Sequence, residues 1–156
     1  FWTGFFVVVP LILTAAERRL RLVWESLQSD SSTVTGVIVF AAGSAIGLWS
    51  CITMALRGAG TPLPAETARD LVVTGPYAHV RNPMAVAGVV QTVGVGLWWG
   101  SWMVAGAGLT GAVVWDLLIR PTEEADLANR FGELYQRYAQ HVRCWLPRYR
   151  HTSSTD

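Results

Sequence analysis

From Val34 to Leu56 the chain carries no charged residue. A run of that length crosses a hydrocarbon core of about 30 Å as a single helix, and this segment is the firmest constraint the sequence offers. Composition agrees with it. The 156 residues are 51% hydrophobic and 15% charged, well below the roughly 25% charge of an average soluble domain. Within the run, Gly36, Ala41, Ala42, Ser44, Ala45 and Gly47 are small. Small residues let backbones approach where lipid gives no hydrophobic drive, so that face is expected to touch another helix.

Three more apolar segments accompany it. Phe1 to Ala16 is closed by Glu17, Arg18, Arg19 and Arg21 and falls short of the roughly 20 residues a full span needs. The chain opens at Phe1 without a methionine, which leaves room for an upstream segment. No basic stretch or cleavage site frames a signal peptide. Met84–Trp99 and Trp102–Ile119 read as a tight helical hairpin turning at Gly100-Ser101, with Trp98, Trp99 and Trp102 at its tip, where indoles sit at lipid headgroups. Between Arg57 and Pro83, six glycines and prolines before Pro83 itself preclude a continuous helix. A charged, helix-patterned stretch follows from about Glu123 to His141. The expected fold is therefore all-α: an integral membrane bundle of about four transmembrane helices, with the loop and the C-terminal helix lying outside the bilayer.

Charge excludes some functions. All twelve basic side chains are arginine and the net charge is +1, which gives no long-range field for a polyanion; no nucleic-acid partner is expected. Cys51 and Cys144 have no Cys or His neighbour at metal-ligand spacing, so free thiols and no structural metal are expected. Nine arginines from Arg57 to Arg150 would share one face, which the positive-inside rule makes cytoplasmic. Arg18, Arg19 and Arg21 would then lie opposite, unless the Glu17–Trp24 stretch returns to the cytoplasmic interface.

Three clusters carry chemistry. The first, Leu71 to Met84, packs Tyr77, His79, Arg81 and Asn82 into a few residues before Pro83 and a hydrophobic helix. Such a loop can hold a polar ligand at the membrane face; equally, Tyr77 and Arg81 can be interfacial anchors. The second is Asp116, Arg120, Glu123, Glu124 and Leu127, which share one face if the helix continues through Pro121. Asp116 is the one ionisable residue inside a span, a functional hypothesis by default, although pairing with Arg120 one turn later accounts for it too. Glu123 and Glu124 can also be a solvated helix start favoured by the dipole. The third cluster sets Phe131, Tyr135 and Tyr138 on one helical face, a pattern more often packing than ligand contact.

The order of these pieces resembles the isoprenylcysteine carboxyl methyltransferase and phospholipid methyltransferase superfamily, especially its short bacterial members. The shared elements are Gly-Thr-Pro-x-Pro at Gly60 to Pro64, and Leu-Val-x-x-Gly-Pro-Tyr-x-x-x-Arg-(His/Asn)-Pro-Met at Leu71 to Met84. After a helical hairpin come Glu-Glu-x-x-Leu-x-x-x-Phe-Gly-x-x-Tyr-x-x-Tyr at Glu123 to Tyr138 and Val-x-x-Trp-Leu-Pro at Val142 to Pro147. The resemblance spans roughly residues 57 to 147. It implies one membrane domain: N-terminal transmembrane helices over 1–56, a catalytic core over 57–147 and a flexible tail over 148–156. It also implies an S-adenosylmethionine-dependent enzyme of the inner membrane with its active site facing the cytoplasm. Its acceptor would be a lipophilic membrane resident, an isoprenylcysteine carboxylate or a phospholipid amine.

Carried over residue by residue, Tyr77, His79, Arg81, Asn82, Pro83, Glu123, Glu124 and Tyr135 fall on the cofactor-pocket motifs, with Arg81, Glu124 and His79 as the catalytic candidates. Leu127, Phe131, Tyr135 and Tyr138 fall on the helix that closes the pocket. The chain departs from the pattern at Ala85 and Ala87, where the family usually has Tyr and Gly; the lost tyrosine removes a hydroxyl and a ring. Methyl transfer suits these residue types. A glutamate can meet the cofactor's ammonium, Arg81 its carboxylate, and Tyr77 and Tyr135 its walls, while the protein's work is positioning and excluding water. A base, for which His79 is best placed, is needed only by an acceptor arriving protonated. Two other readings stand beside this one: an NADPH-dependent membrane reductase of sterol-reductase-like fold, and a non-enzymatic membrane module. The small size and the lack of extra basic residues for a 2′-phosphate argue against the first. The polar loop argues against the second.

Overall fold

A computed structural model describes residues 2–20, 29–58 and 69–147. The Gly60–Pro64 element, the 148–156 tail and residues 21–24 of the Glu17–Trp24 stretch lie outside the described residues. Among the described residues six α-helices occur in order: α1 (Trp2–Arg19), α2 (Asp30–Arg57), α3 (Pro83–Trp99), α4 (Trp102–Val114), α5 (Arg120–Phe131) and α6 (Glu133–His141). A π-helical stretch, Trp115–Ile119, joins α4 to α5. The described residues contain no β-strand, and the fold is all-α as expected. Two compact units divide the chain: residues 1–48 with 84–122, and residues 49–83 with 123–156.

In the first unit α2 and α3 run antiparallel with their backbones nearly touching. A Cβ on Gly36 would lie 2.3 Å from the Trp98 nitrogen, and one on Gly94 would lie 2.6 Å from the Phe40 nitrogen. Gly43 faces Gln91 and Gly47 faces Ala87. The seam thus follows positions 36, 40, 43 and 47, the alternating three- and four-residue spacing of packed helices. Only part of the expected small-residue face takes part. Ser44 accepts a hydrogen bond from Gln91 Nε2 at 3.0 Å, but Ala41, Ala42 and Ala45 are exposed; smallness alone does not say which side of a helix meets a neighbour.

The hairpin turns where the sequence places it. Gly100 has a φ of +64°, and Ser101 caps α4 by accepting from the Val104 N–H at 3.2 Å. Glu17, at the end of α1, is buried against this turn. Its carboxylate accepts from the Ser101 hydroxyl and from the Trp102 N–H at 3.1 Å, so the first orphan amides of α4 find an anion. Arg18 and Arg19 follow Glu17 at the hairpin end of this unit, while Arg120 follows α4 at its other end. Of the two placements open to the basic cluster, these described residues adopt the one opposite Arg120.

The outer surface is apolar. Val34, Ile38, Leu48, Leu109, Val113, Leu117 and Leu118 are all among the exposed large hydrophobics. Helices of a soluble core would bury such side chains, and here the solvent they face is lipid. Against the expected four or so spans, two helices among the described residues are long and apolar enough to cross: Asp30–Arg57 and Trp102–Phe131. α3, with 17 residues, is shorter. The chain is a membrane protein by these helices.

The helix does continue through Pro121. Proline has no N–H to offer and its ring crowds the preceding turn; the π-helical stretch just before it, with the Arg120 N–H on the Trp115 carbonyl, supplies the extra room. The segment expected as one helix from Glu123 to His141 is two. Gly132, at φ +52° and ψ −128°, breaks it in a conformation open essentially to glycine.

Candidate active site

The second unit gathers the end of α2, the loop before α3, α5 from Glu123 onward, α6 and the residues after it. Gly75 starts a short helical turn, Gly75–Ala78, at φ +61°. A side chain there would also crowd Thr53, whose Oγ1 lies 3.0 Å from an added Cβ. Pro76 pre-sets the first turn, and Pro76 and Tyr77 are buried. The chain then extends: Val80 forms a parallel bridge with Arg143, and the Arg81 N–H donates to the Arg143 carbonyl at 2.9 Å. Pro83, fully buried, begins α3.

This fixed backbone aims two successive side chains at two successive acids. Arg81 Nη2 lies 3.2 Å from Glu124 Oε1, with the two side chains 18% and 29% exposed. Asn82 Nδ2 donates to Glu123 Oε2 at 3.3 Å. Arg81 Nε is buried with no hydrogen-bond partner among the described residues. Tyr135, 5% exposed, lies close enough to feel both charges. Burial raises its phenol above the usual value and Glu124 adds to this, while Arg81 works against it. Tyr138 stands beside it, ring centroids 6.3 Å apart, and its hydroxyl donates to the Tyr77 carbonyl at 2.6 Å. Burial holds Tyr77 up to about 12, with Cys51 contributing. Carboxylates, a guanidinium, an amide and neutral phenols thus meet in one partly buried cluster, whose acceptors and donors suit a ligand that carries both charges.

Comparison with protein families matches residues 31–134 to phospholipid methyltransferase. The chain belongs to the phospholipid methyltransferase family. The match runs from α2 into α6 and takes in the loop and both glutamates; Tyr135 and Tyr138 follow its end. Comparison with curated proteins finds no match. Members of the phospholipid methyltransferase family are methyltransferases, so the chain is an enzyme of that broad kind held in a membrane.

Of the residues singled out by the family motifs, Arg81, Asn82, Glu123, Glu124 and Tyr135 come together, Tyr77 is tied to α6 through its carbonyl, which accepts from the Tyr138 hydroxyl, and Pro83 is buried at the start of α3. His79 does not join it; its ring is exposed and makes no hydrogen bond there among the described residues. Glu123 and Glu124 do not mark a helix start, because the helix runs unbroken from Trp102, and the dipole explanation for them loses its basis. Asp116 pairs with Arg120 at 3.0 Å, the structural alternative. At the two departures, Ala87 is buried and its methyl would lie 3.4 Å from a Cβ on Gly47, so a glycine across the seam makes room for it.

Sequence reasoning missed Arg143 and Cys144. Arg143 works through its backbone carbonyl, so its side chain gives no signal. Cys144 is buried among the phenols, where it nudges Tyr135 and Tyr138 upward. The Val142–Pro147 motif was the available sign that this stretch is structured.

Proposed function

We propose that the chain transfers a methyl group from S-adenosylmethionine to a lipophilic acceptor resident in the membrane. The observation that carries the proposal is the Arg81–Glu124 pair at 3.2 Å, flanked by Asn82 and Glu123 and close to Tyr135. The buried and unpartnered Arg81 Nε fits a carboxylate, and the two glutamates fit an ammonium, so the cluster suits the amino-acid head of this cofactor. When bound, the cofactor supplies a methyl group already activated on a sulfonium.

The residues then have limited work. Glu123 and Glu124 hold the ammonium, Arg81 the carboxylate by charge-assisted hydrogen bonds, and Asn82 keeps Glu123 in place. Tyr77 and Tyr135 exclude water and stay neutral, so neither adds a charge near a cation. Holding acceptor and donor in line is worth several kcal/mol of barrier, up to about 7–11 in well-oriented intramolecular reactions. No covalent enzyme intermediate is required. An amine that arrives as an ammonium must first lose a proton, and with His79 exposed outside the cluster that proton goes to water. The family's name favours a phospholipid amine as acceptor over an isoprenylcysteine carboxylate. Arginines around the loop and on α5 and α6 set this site on the cytoplasmic side.

The test is direct. Full-length protein in liposomes, given methyl-labelled S-adenosylmethionine with either phosphatidylethanolamine or a farnesylated cysteine, should move label into the phosphatidylethanolamine fraction, and Glu124→Gln should abolish the transfer. Label entering neither acceptor while NADPH is oxidised would overturn the proposal.

A further inference from the structure

Ser44 lies midway along the 28-residue span Asp30–Arg57. At 1.5 Å per residue that is roughly 20 Å from either end, near the middle of a hydrocarbon core about 30 Å thick. Gln91 reaches it from α3, its Nε2 donating to Ser44 Oγ at 3.0 Å. The serine fixes which way the amide turns. Ser44 spends its own proton on the Phe40 carbonyl at 2.8 Å, so toward Gln91 it only accepts, and the amide oxygen is turned away from it. The second Nε2 hydrogen and Oε1 then make no hydrogen bond among the described residues. Both side chains are partly exposed. What surrounds them at this depth is hydrocarbon, where an unmet amide is costly.

We infer that a second copy of the chain packs on this side of α2, with the Gln91 amides of the two copies hydrogen-bonded to each other. Helical geometry sets the face. Seam positions 40, 43 and 47 lie to one side of Ser44, and Ala41 and Ala45, both exposed, lie to the other. The amide therefore sits at the edge of the α2–α3 seam, beside a face that α3 leaves uncovered. Two features choose the occupant. Phospholipids carry their polar groups at the bilayer surface, so mid-depth lipid offers an amide nothing to bond; a protein helix does. The unmet groups are one hydrogen and one oxygen of the same amide, so two copies related by a two-fold axis satisfy each other reciprocally. Ala41 and Ala45, four residues apart, let two α2 helices approach closely enough for side chains at their edge to cross. The inference is independent of the cofactor reading.

Single-molecule counting of the labelled full chain in phosphatidylcholine liposomes, over a range of protein-to-lipid ratios, tests this. Wild type should dimerise. Gln91→Leu, similar in volume but without donor or acceptor, should raise the dissociation constant about tenfold, the scale of two interhelical hydrogen bonds in a membrane. Ala45→Leu adds bulk on the exposed face and leaves the Ser44–Gln91 bond alone. It should weaken the dimer by a similar factor with helix content equal to wild type by circular dichroism, and it decides the question if Gln91→Leu does not fold. A wild type that stays monomeric at every ratio would overturn the inference. So would a dimer as tight as wild type in either folded variant.

Discussion

Tyr138 donates its hydroxyl to the carbonyl of Tyr77, 61 residues earlier, at 2.6 Å. A single phenol so holds α6 against the loop that carries Arg81. Tyr138→Phe leaves the backbone acceptor of a buried residue without its partner, at a cost of about 1–3 kcal/mol. Thermal unfolding in detergent should show a lowered midpoint, with cofactor-analogue affinity falling alongside it. An unchanged midpoint would mean that the contact contributes nothing to closure.

The buried phenols carry a pH signature. Tyr77 is pushed up to about 12, and burial raises Tyr135 and Tyr138 as well. A phenol whose folded value exceeds the unfolded value near 10 stabilises the fold fully below about pH 10, and that contribution is lost as pH rises through the folded value. Phenolate absorbance of the folded protein should therefore show three of its four tyrosines titrating late, with two late titrations left in Tyr77→Phe. Titration of all four near 10 in folded protein would contradict the burial described.

Glu17 caps α4 from another helix. Glu17→Ala strips the acceptor from the Ser101 hydroxyl and the Trp102 N–H, and loss of such a cap should cost about 1–3 kcal/mol. The expected result is a lower unfolding midpoint with cofactor-analogue binding retained at temperatures where the protein stays folded. A midpoint equal to wild type would show that lipid or water replaces the carboxylate.

At Gly36 and Gly94 the α2–α3 seam has no room for a methyl group. Gly36→Ala and Gly94→Ala each drive a Cβ into backbone, 2.3 and 2.6 Å away, and overpacking of this kind costs about 1–3 kcal/mol or more because backbone cannot turn aside. Both variants should lose yield of folded protein on size-exclusion chromatography. Gly106→Ala, with nothing within 4 Å, should behave as wild type. Equal behaviour of all three would place the helices farther apart than described.

Much of this was legible in the residues. The uncharged run Val34–Leu56 and the Gly100-Ser101 turn were readable because lipid and glycine each leave few local choices, whereas continuation through Pro121 stayed open because proline commonly ends a helix. The Arg81–Glu124 juxtaposition came from the ordered motifs; no periodicity brings together residues on opposite sides of a helical hairpin. Glu17 was read as part of a charged boundary, because a lone carboxylate does not announce that a distant helix end will bury it. The seam was read too broadly, since Ala41, Ala42 and Ala45 are small residues like Gly36 and Gly47 yet face outward. Gly132 was passed over inside a helix pattern, where its backbone angles alone show the break.

The most direct measurement is calorimetric titration of S-adenosylhomocysteine into the detergent-purified full chain, beside Arg81→Ala and Glu124→Gln, with NADPH as a control ligand. The account predicts saturable binding to wild type, a loss of at least tenfold in each variant, and no heat from NADPH. A well-folded wild type that takes up no S-adenosylhomocysteine, or that binds NADPH instead, would contradict it.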